Sequence, residues 1–455
     1  MNESRAHRER PGPSRRGWWH PQATAWGCTS KHTPNLRLRV APSGWVETSP
    51  PVEAGFRALS LLARKRTCHG LPFSPKSIGI LRTGFIGDVI LTTGMIRHVK
   101  DRYPQARLHY FCYSSARPII EDNPRVDRVW SPSWLPLRRL GGLLRLEVFR
   151  EMRAFMREAR RERIDLLLVP CRQQTLLGTL KVALVVWMIQ PGTSVGLCYR
   201  NRGFFLDIKV PDEGLLVRHE SDWCADILRA AGIPGDCRVP CIEVHPQHER
   251  SVSRLLESHG IRPNERLVII HPGGGSDASE PKWTLKRWPA ANFARVAGEL
   301  ARMDGVRVLV TGVEAERPLF QEMTARGIAG VTDLIGRTSL KEFSALARRA
   351  ALVIGNDSGA THVAAACGAP TIALFGYTDF IGYHPLGARV SLLRHATECA
   401  PCLYWFGRVP CQKSYSCLRS VRPEQVVAEA RRLMAAHSAE LRAALSLPKG
   451  RRRSA

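Results

Sequence analysis

The sequence predicts an α/β protein built from two doubly wound, Rossmann-like domains facing a cleft. Three observations predict it. From Lys76 onward, short apolar or β-branched runs alternate with longer amphipathic segments, the pattern of parallel strands joined by crossover helices. The alternation pauses over Asp236 to Pro246 and then restarts from a new strand. The chain has 455 residues, more than one ordinary core organises, so two cores are expected.

Taken in order, strands are expected at Ser77 to Arg82, Arg107 to Cys112, Asp127 to Trp130, Ile164 to Val169 and Ser194 to Leu197. Helices should fill Asp88 to Arg102, Leu143 to Arg163, Leu176 to Ile189 and His219 to Ala231, the last closed by Gly232 and followed by Pro234. After the extended connection, strands are expected at Leu267 to Ile270, Val306 to Val310, Leu352 to Ile354 and Thr371 to Phe375. The intervening helices fall at about Pro289 to Met303, Arg317 to Arg326, Leu340 to Arg349 and Ala360 to Cys367, with a last one from Pro423 to Ala436. Ser339 and Glu342 form a capping box for the Leu340 helix, each satisfying a backbone donor that the helix itself cannot. The resulting organisation is a basic, disordered extension over 1–75, a first domain over 76–240, a second over 241–435 and a basic tail over 436–455.

The formal net charge is +27, from 67 basic and 40 acidic residues, which favours anionic partners without naming one. Residues 1–75 supply +8 and residues 431–455 a further +6, so about half of the charge lies at the two ends. A third concentration lies inside the folded region. Between Arg138 and Arg163, nine arginines and four glutamates interleave with apolar residues at helical spacing, which reads either as a solvated face over a core stripe or as a docking face for an anionic lipid surface. Hydrophobic residues make up 44% of the chain, but the longest apolar run, Val182 to Ile189, is far too short to span a bilayer. The basic N-terminus lacks the apolar stretch of a secretory signal, so a cytoplasmic, reducing location is expected, with peripheral contact at the inner face of a membrane as an addition. Nucleic acid is not an expected partner: no recognition motif accompanies the charge.

Ligands of doubly wound sheets bind outside the C-terminal ends of the strands, so the loops there should carry the chemistry. The first is Arg82-Thr83-Gly84-Phe85-Ile86-Gly87-Asp88, where Thr83, Gly84 and Gly87 allow a tight turn with amides turned towards an anion at a helix start. Asp88 reads either as a helix-capping carboxylate or as a general base at the mouth of the cleft. The second loop is His271-Pro272-Gly273-Gly274-Gly275-Ser276, with Lys282, Lys286 and Arg287 downstream. Its glycines permit close approach of backbone to phosphate oxygens and a lysine supplies a neutralising point charge. The Walker pattern is absent, which disfavours nucleoside triphosphate hydrolysis and leaves a nucleotide-sugar diphosphate as the better fit. The third loop, Gly355-Asn356-Asp357-Ser358-Gly359-Ala360-Thr361-His362, again places small polar residues at a helix start, with His362 about one turn inside. The fourth is Phe375-Gly376-Tyr377-Thr378-Asp379.

The runs ILRTGFIGDVILTTG, HPGGG followed by KRWP, LIGRTSL, GNDSGATHVAAA and ALFGYTD occur in an order and spacing that resembles glycosyltransferase family 9, over about Ser77 to Ala435. The resemblance implies a GT-B fold with the donor held by the second domain. It further implies inverting transfer of a sugar, typically heptose from an ADP-heptose donor, onto a lipopolysaccharide core or related lipid-linked acceptor. By the same resemblance Asp88 matches the base and Lys286 the lysine on the donor diphosphate. Asp357 matches the aspartate of the family's D-[ST]-G-x-x-H motif, with Ser358, Gly359 and His362; Gly273, Gly274, Gly275, Ser276, Thr378 and Asp379 complete the donor side. Three features depart from the pattern: Gly94 and Tyr377 stand where prolines are usual, and the donor loop is lengthened over Asp277 to Leu285, which leaves Lys282 as an alternative to Lys286 for the phosphate contact. A non-transferring nucleotide-sugar enzyme of the same fold, such as an epimerase, is the alternative.

Cys399, Cys402, Cys411 and Cys417 are spaced C-x2-C-x8-C-x5-C before the last helix. Four thiolates could hold a structural zinc, although the spacing is that of no standard zinc ribbon, and free thiols are the competing reading. No other cofactor is expected.

Overall fold

The computed structural model describes residues 74–136, 146–173, 175–214, 217–275, 285–325, 330–402 and 413–446, with the single positions 71, 328 and 411. The expected extension over 1–75 falls almost wholly outside this range, as do Ser276, Lys282 and the end of the tail beyond residue 446.

The first sheet contains β1 (Ser77–Leu81), β2 (Arg107–Phe111), β3 (Arg128–Trp130), β4 (Leu166–Val169), β5 (Thr193–Cys198) and β6 (Ile208–Pro211). They are ordered β3-β2-β1-β4-β5-β6 and every pairing is parallel. The second sheet contains β7 (Arg266–His271), β8 (Val306–Gly312), β9 (Val331–Ile335), β10 (Leu352–Asn356), β11 (Thr371–Leu374) and β12 (Val390–Leu393), ordered β12-β11-β10-β7-β8-β9 and again parallel. The two orders are the same winding. Each sheet reverses direction between its first and fourth strands, and that switch point opens the crevice that a doubly wound sheet offers to ligands.

The central strands β1, β4 and β10 are buried along their whole length, which accounts for their unbroken apolar sequences. One face of the first sheet packs on α1 (Ile86–Thr92), α2 (Gly94–Arg102) and α6 (Glu220–Ala230). The hydrophobic core there continues without a break into the second half through Val252, Leu256, Phe343, Leu346 and Val363. The other face packs on α4 (Leu146–Arg161) and α5 (Leu176–Ile189) around Phe155, Val182, Val186 and Trp130. A separate core on the second sheet is closed by α8 (Ala290–Ala301) and the terminal α14 (Pro423–Ser446).

Several expected boundaries are corrected. The helix foreseen over Asp88 to Arg102 is two, broken at Thr93, whose hydroxyl donates to Ile90 O at 2.7 Å and accepts from Cys241 N–H at 2.9 Å. The connector thereby docks on the break. Gly94 is there because the connector passes over it: a Cβ would lie 2.9 Å from Cys237 O and 3.1 Å from its Cα. Beyond the connector, α7 (Pro246–Ser258) is a helix that the sequence pattern did not single out. Helix α14 runs to Ser446, so the tail expected from 436 begins as a continuation of that helix. No helix among the described residues is long and apolar enough to cross a membrane.

Candidate active site

A cavity of about 650 Å³ lies between the two halves and is lined by the loops after β1, β7, β10 and β11. On the first side are Thr83, Gly84, Gly87 and Asp88. On the second are Gly274, Gly275, Lys286, Asp357, Ser358, Gly359, His362, Thr378 and Asp379, with Gly273 next to them in the β7 loop. Of the candidates expected from sequence, Ser276 and the alternative phosphate lysine Lys282 cannot be placed, because they lie outside the described residues.

Asp88 serves its helix and faces the cavity at once. One carboxylate oxygen accepts from Phe85 N–H at 2.8 Å, capping α1, and the other from Arg82 Nη2 at 3.1 Å. A carboxylate has about four lone-pair positions, so both contacts leave room to accept a further proton. The carboxylate presses on Gly84, where a Cβ would come within 2.7 Å of it. Arg82 is buried and also donates to Glu220 at 2.6 Å and to Pro170 O. Burial alone would lower the Arg82 pKa, but Glu220 and then Asp88 hold it well above the ordinary value. Neither Arg82 nor Glu220 stood out in the sequence as a site residue. The loop amides are less open than a bare anion cradle: Thr83 N–H donates to Cys171 Sγ at 3.3 Å and Phe85 N–H to Asp88.

Across the cavity, Lys286 Nζ donates to Asp357 at 2.8 Å. Burial pushes the Asp357 carboxyl up, but the Lys286 ammonium more than offsets it and Asp357 sits below the ordinary range. Both flank the start of α11 (Gly359–Ala366), whose N-cap, Ser358, has a buried hydroxyl without a hydrogen-bond partner among the described residues. An unpaired hydroxyl beside a lysine and a helix N-terminus is chemistry suited to an incoming anion. Asn356, fully buried, fastens this end of β10 to the glycine loop. Its amide donates to Pro272 O at 2.8 Å and Gly273 O at 3.0 Å, while its oxygen accepts from Trp288 N–H at 2.9 Å. The buried Glu316 packs against Gly273, where any Cβ would overlap its carboxylate, and lines the cavity as well.

The two sides meet through small residues. A Cβ on Gly87 would lie 3.0 Å from the His362 ring, and one on Gly359 would lie 3.0 Å from Ile86, so glycine at both positions lets α1 and α11 approach end to end. His219 Nε2 meets His384 O at 3.0 Å, a second tie between the halves. Burial lowers His362 to about 4 against the opposing pull of the Asp357 and Asp88 carboxylates, and burial followed by His384 lowers His219 to about 3, so both imidazoles are neutral near pH 7.

The sequence model of glycosyltransferase family 9 (heptosyltransferase) matches residues 152–408. The chain belongs to glycosyltransferase family 9. Among curated relatives, lipopolysaccharide heptosyltransferase 3 of Escherichia coli is 25% identical over 308 residues, 66% of this chain and 84% of the relative. Lipopolysaccharide heptosyltransferase 2 of Salmonella typhimurium is 24% identical over 329 residues, 70% and 88% of the two chains. Among solved structures, a family 9 glycosyl transferase from Veillonella parvula superposes with a TM-score of 0.66 at 21% identity, covering 81% of this chain and 99% of that one. The E. coli ADP-heptose lipopolysaccharide heptosyltransferase II superposes with a TM-score of 0.61 at 21% identity, covering 80% and 99%. The fold is therefore the GT-B arrangement expected of this family, and the protein is a glycosyltransferase.

The four-cysteine motif gives the zinc reading no support. Among the described residues no group of three histidine, cysteine, aspartate or glutamate side chains could hold a metal ion, and none of the four cysteines is in a disulfide. Two of the four pack instead under the β11 loop: Tyr377, Ala400 and Cys417 form a small buried cluster with Cys402, and Cys402 N–H donates to Tyr377 O at 3.1 Å. Burial, then the neighbouring cysteines, push the Cys417 thiol up to about 11, which keeps it protonated. Tyr377, in the usual place of proline, is thus the anchor of the segment that follows.

Proposed function

We propose that the enzyme transfers heptose from ADP-heptose to a lipopolysaccharide core acceptor with inversion at the anomeric carbon. The observation that carries this is the opposition of Asp88 to the Lys286, Asp357 and Ser358 cluster across one cavity. The acceptor hydroxyl attacks the anomeric carbon and gives its proton to Asp88, while the bond to the diphosphate breaks and its electron pair leaves with the diphosphate oxygen. Lys286 and the first amides of α11 neutralise that developing charge, and Arg82 keeps the carboxylate turned towards the acceptor. The lipopolysaccharide heptosyltransferases among the relatives support heptose and lipopolysaccharide, and the ADP-heptose enzyme among the solved structures supports the donor. A lipid-linked acceptor places the work at the cytoplasmic face of the inner membrane.

A donor panel read by released nucleoside diphosphate tests the reading. ADP-heptose should turn over only with a core acceptor present. Conversion of the donor without acceptor would instead favour an epimerase, and turnover of a uridine or guanosine donor in its place would overturn the donor assignment.

A further inference from the structure

We propose that the outward face of α4 and α5 is a docking surface for an anionic lipid bilayer. Helix α5 has the sequence LLGTLKVALVVWMI, apolar almost all round. In a globular protein such a helix is normally covered on every side. Here Leu176, Leu180 and Trp187 are 37, 41 and 57% exposed, and their spacing of four and seven residues places them on one stripe. Beside it, α4 exposes Leu146 and Phe149 at 63 and 57%. The opposite face of the same sheet is buried against the second half, so the α4 and α5 layer is an outer side of the molecule.

The charge around the stripe selects the occupant. Arg150, Arg153, Arg157 and Arg161 recur along one face of α4, exposed and without a carboxylate partner among the described residues. The glutamates between them are engaged elsewhere, Glu151 by Ser133 and Glu158 by Arg128. Arg160 donates to Met188 O at 3.1 Å and stands 5.6 Å from the Trp187 ring centroid, which locks the two helices side by side. Exposed Leu, Phe and Trp flanked by arginines match the boundary between acyl chains and acidic head groups, where apolar side chains enter and guanidinium groups meet phosphate. Lys181, next to Leu180, lines the active-site cavity, so α5 runs from the docking stripe to the cleft. A head-group acceptor held in the membrane would thus be presented to Asp88.

The purpose of the surface rests on the lipid-linked acceptor proposed above, but its test needs neither donor nor acceptor, so each reading can fail alone. Co-sedimentation of the full chain with phosphatidylglycerol/phosphatidylcholine vesicles should show at least about tenfold tighter binding than to phosphatidylcholine alone. The double variant Leu180→Ser/Trp187→Ser should bind the acidic vesicles about tenfold more weakly, and Arg153→Glu/Arg157→Glu should lose the preference for acidic lipid. Both should keep wild-type transfer to a water-soluble core acceptor, which shows that they fold. Equal vesicle binding by wild type and both variants would overturn the proposal. So would light scattering showing a wild-type dimer that Leu180→Ser/Trp187→Ser converts to monomer, because the stripe would then be an interface between two copies.

Discussion

Asp88 is one end of a buried chain of charge. Its carboxylate meets Arg82, Arg82 meets Glu220 at 2.6 Å, and Glu220 is fully buried. Removing one member of such a pair leaves an uncompensated buried charge, at a cost of about 3 kcal/mol. Glu220→Gln should therefore lower the unfolding free energy in urea by about that amount. Without its partner Arg82 would also be drawn onto Asp88, so kcat should fall about tenfold while the KM for the donor stays unchanged. Unaltered kcat with the stability loss would make Glu220 structural alone. The sequence marks Asp88 because a carboxylate after two glycines at a helix start is a recognisable local pattern. It does not mark Glu220, which lies 138 residues from Arg82 and acquires its meaning only when β1 and α6 are brought together. Asn356 is similar: it stood inside a recognised motif, but its task of clasping the β7 loop is visible only in three dimensions.

At the scale of elements, the interior of each sheet was legible in the sequence, and of the four edge strands only β3 was. The strands that the sequence pattern missed, β6, β9 and β12, are all sheet edges and are incompletely buried, so their sequences lack the unbroken apolar run that marks β4 or β10. The short break between α1 and α2 was hidden because Thr93 leaves the helical periodicity intact and breaks the ladder through side-chain bonds. The contact between α1 and α11 carries a pH signature. His362, near 4 in the folded protein, has an ordinary value of 6.5, as does His219, near 3. Below pH 6.5 the unfolded chain takes up protons that the folded chain refuses, so stability falls as pH drops from about 6.5 towards 4. The slope approaches about 1.4 kcal/mol per pH unit for each histidine. Asp357 is lowered and loses its contribution only below this window. Urea midpoints between pH 7 and 5 should decline less steeply in His362→Asn than in the wild type, and parallel slopes would contradict the assignment.

For the whole molecule, two copies of one winding face each other, and the labour is divided between them. In the mechanism proposed above, the first half supplies the base and the second supplies the cation and the helix terminus for the departing diphosphate. The two-part architecture is readable in the repeat of strand and helix on either side of the connector, and the strand-end loops lie where the topology requires chemistry to be. The charge was less informative. Half of it belongs to ends that are largely outside the described residues, and the arginines of α4 take on direction only beside the exposed stripe of α5. The division of labour is tested most directly by measuring donor affinity calorimetrically and transfer rate side by side for Asp88→Asn and Lys286→Ala. Asp88→Asn should bind ADP-heptose like the wild type and lose about 10²-fold or more in kcat, while Lys286→Ala should lose donor affinity by about tenfold or more. Turnover by Asp88→Asn within about threefold of the wild type would contradict the account, since a missing general base costs far more than that.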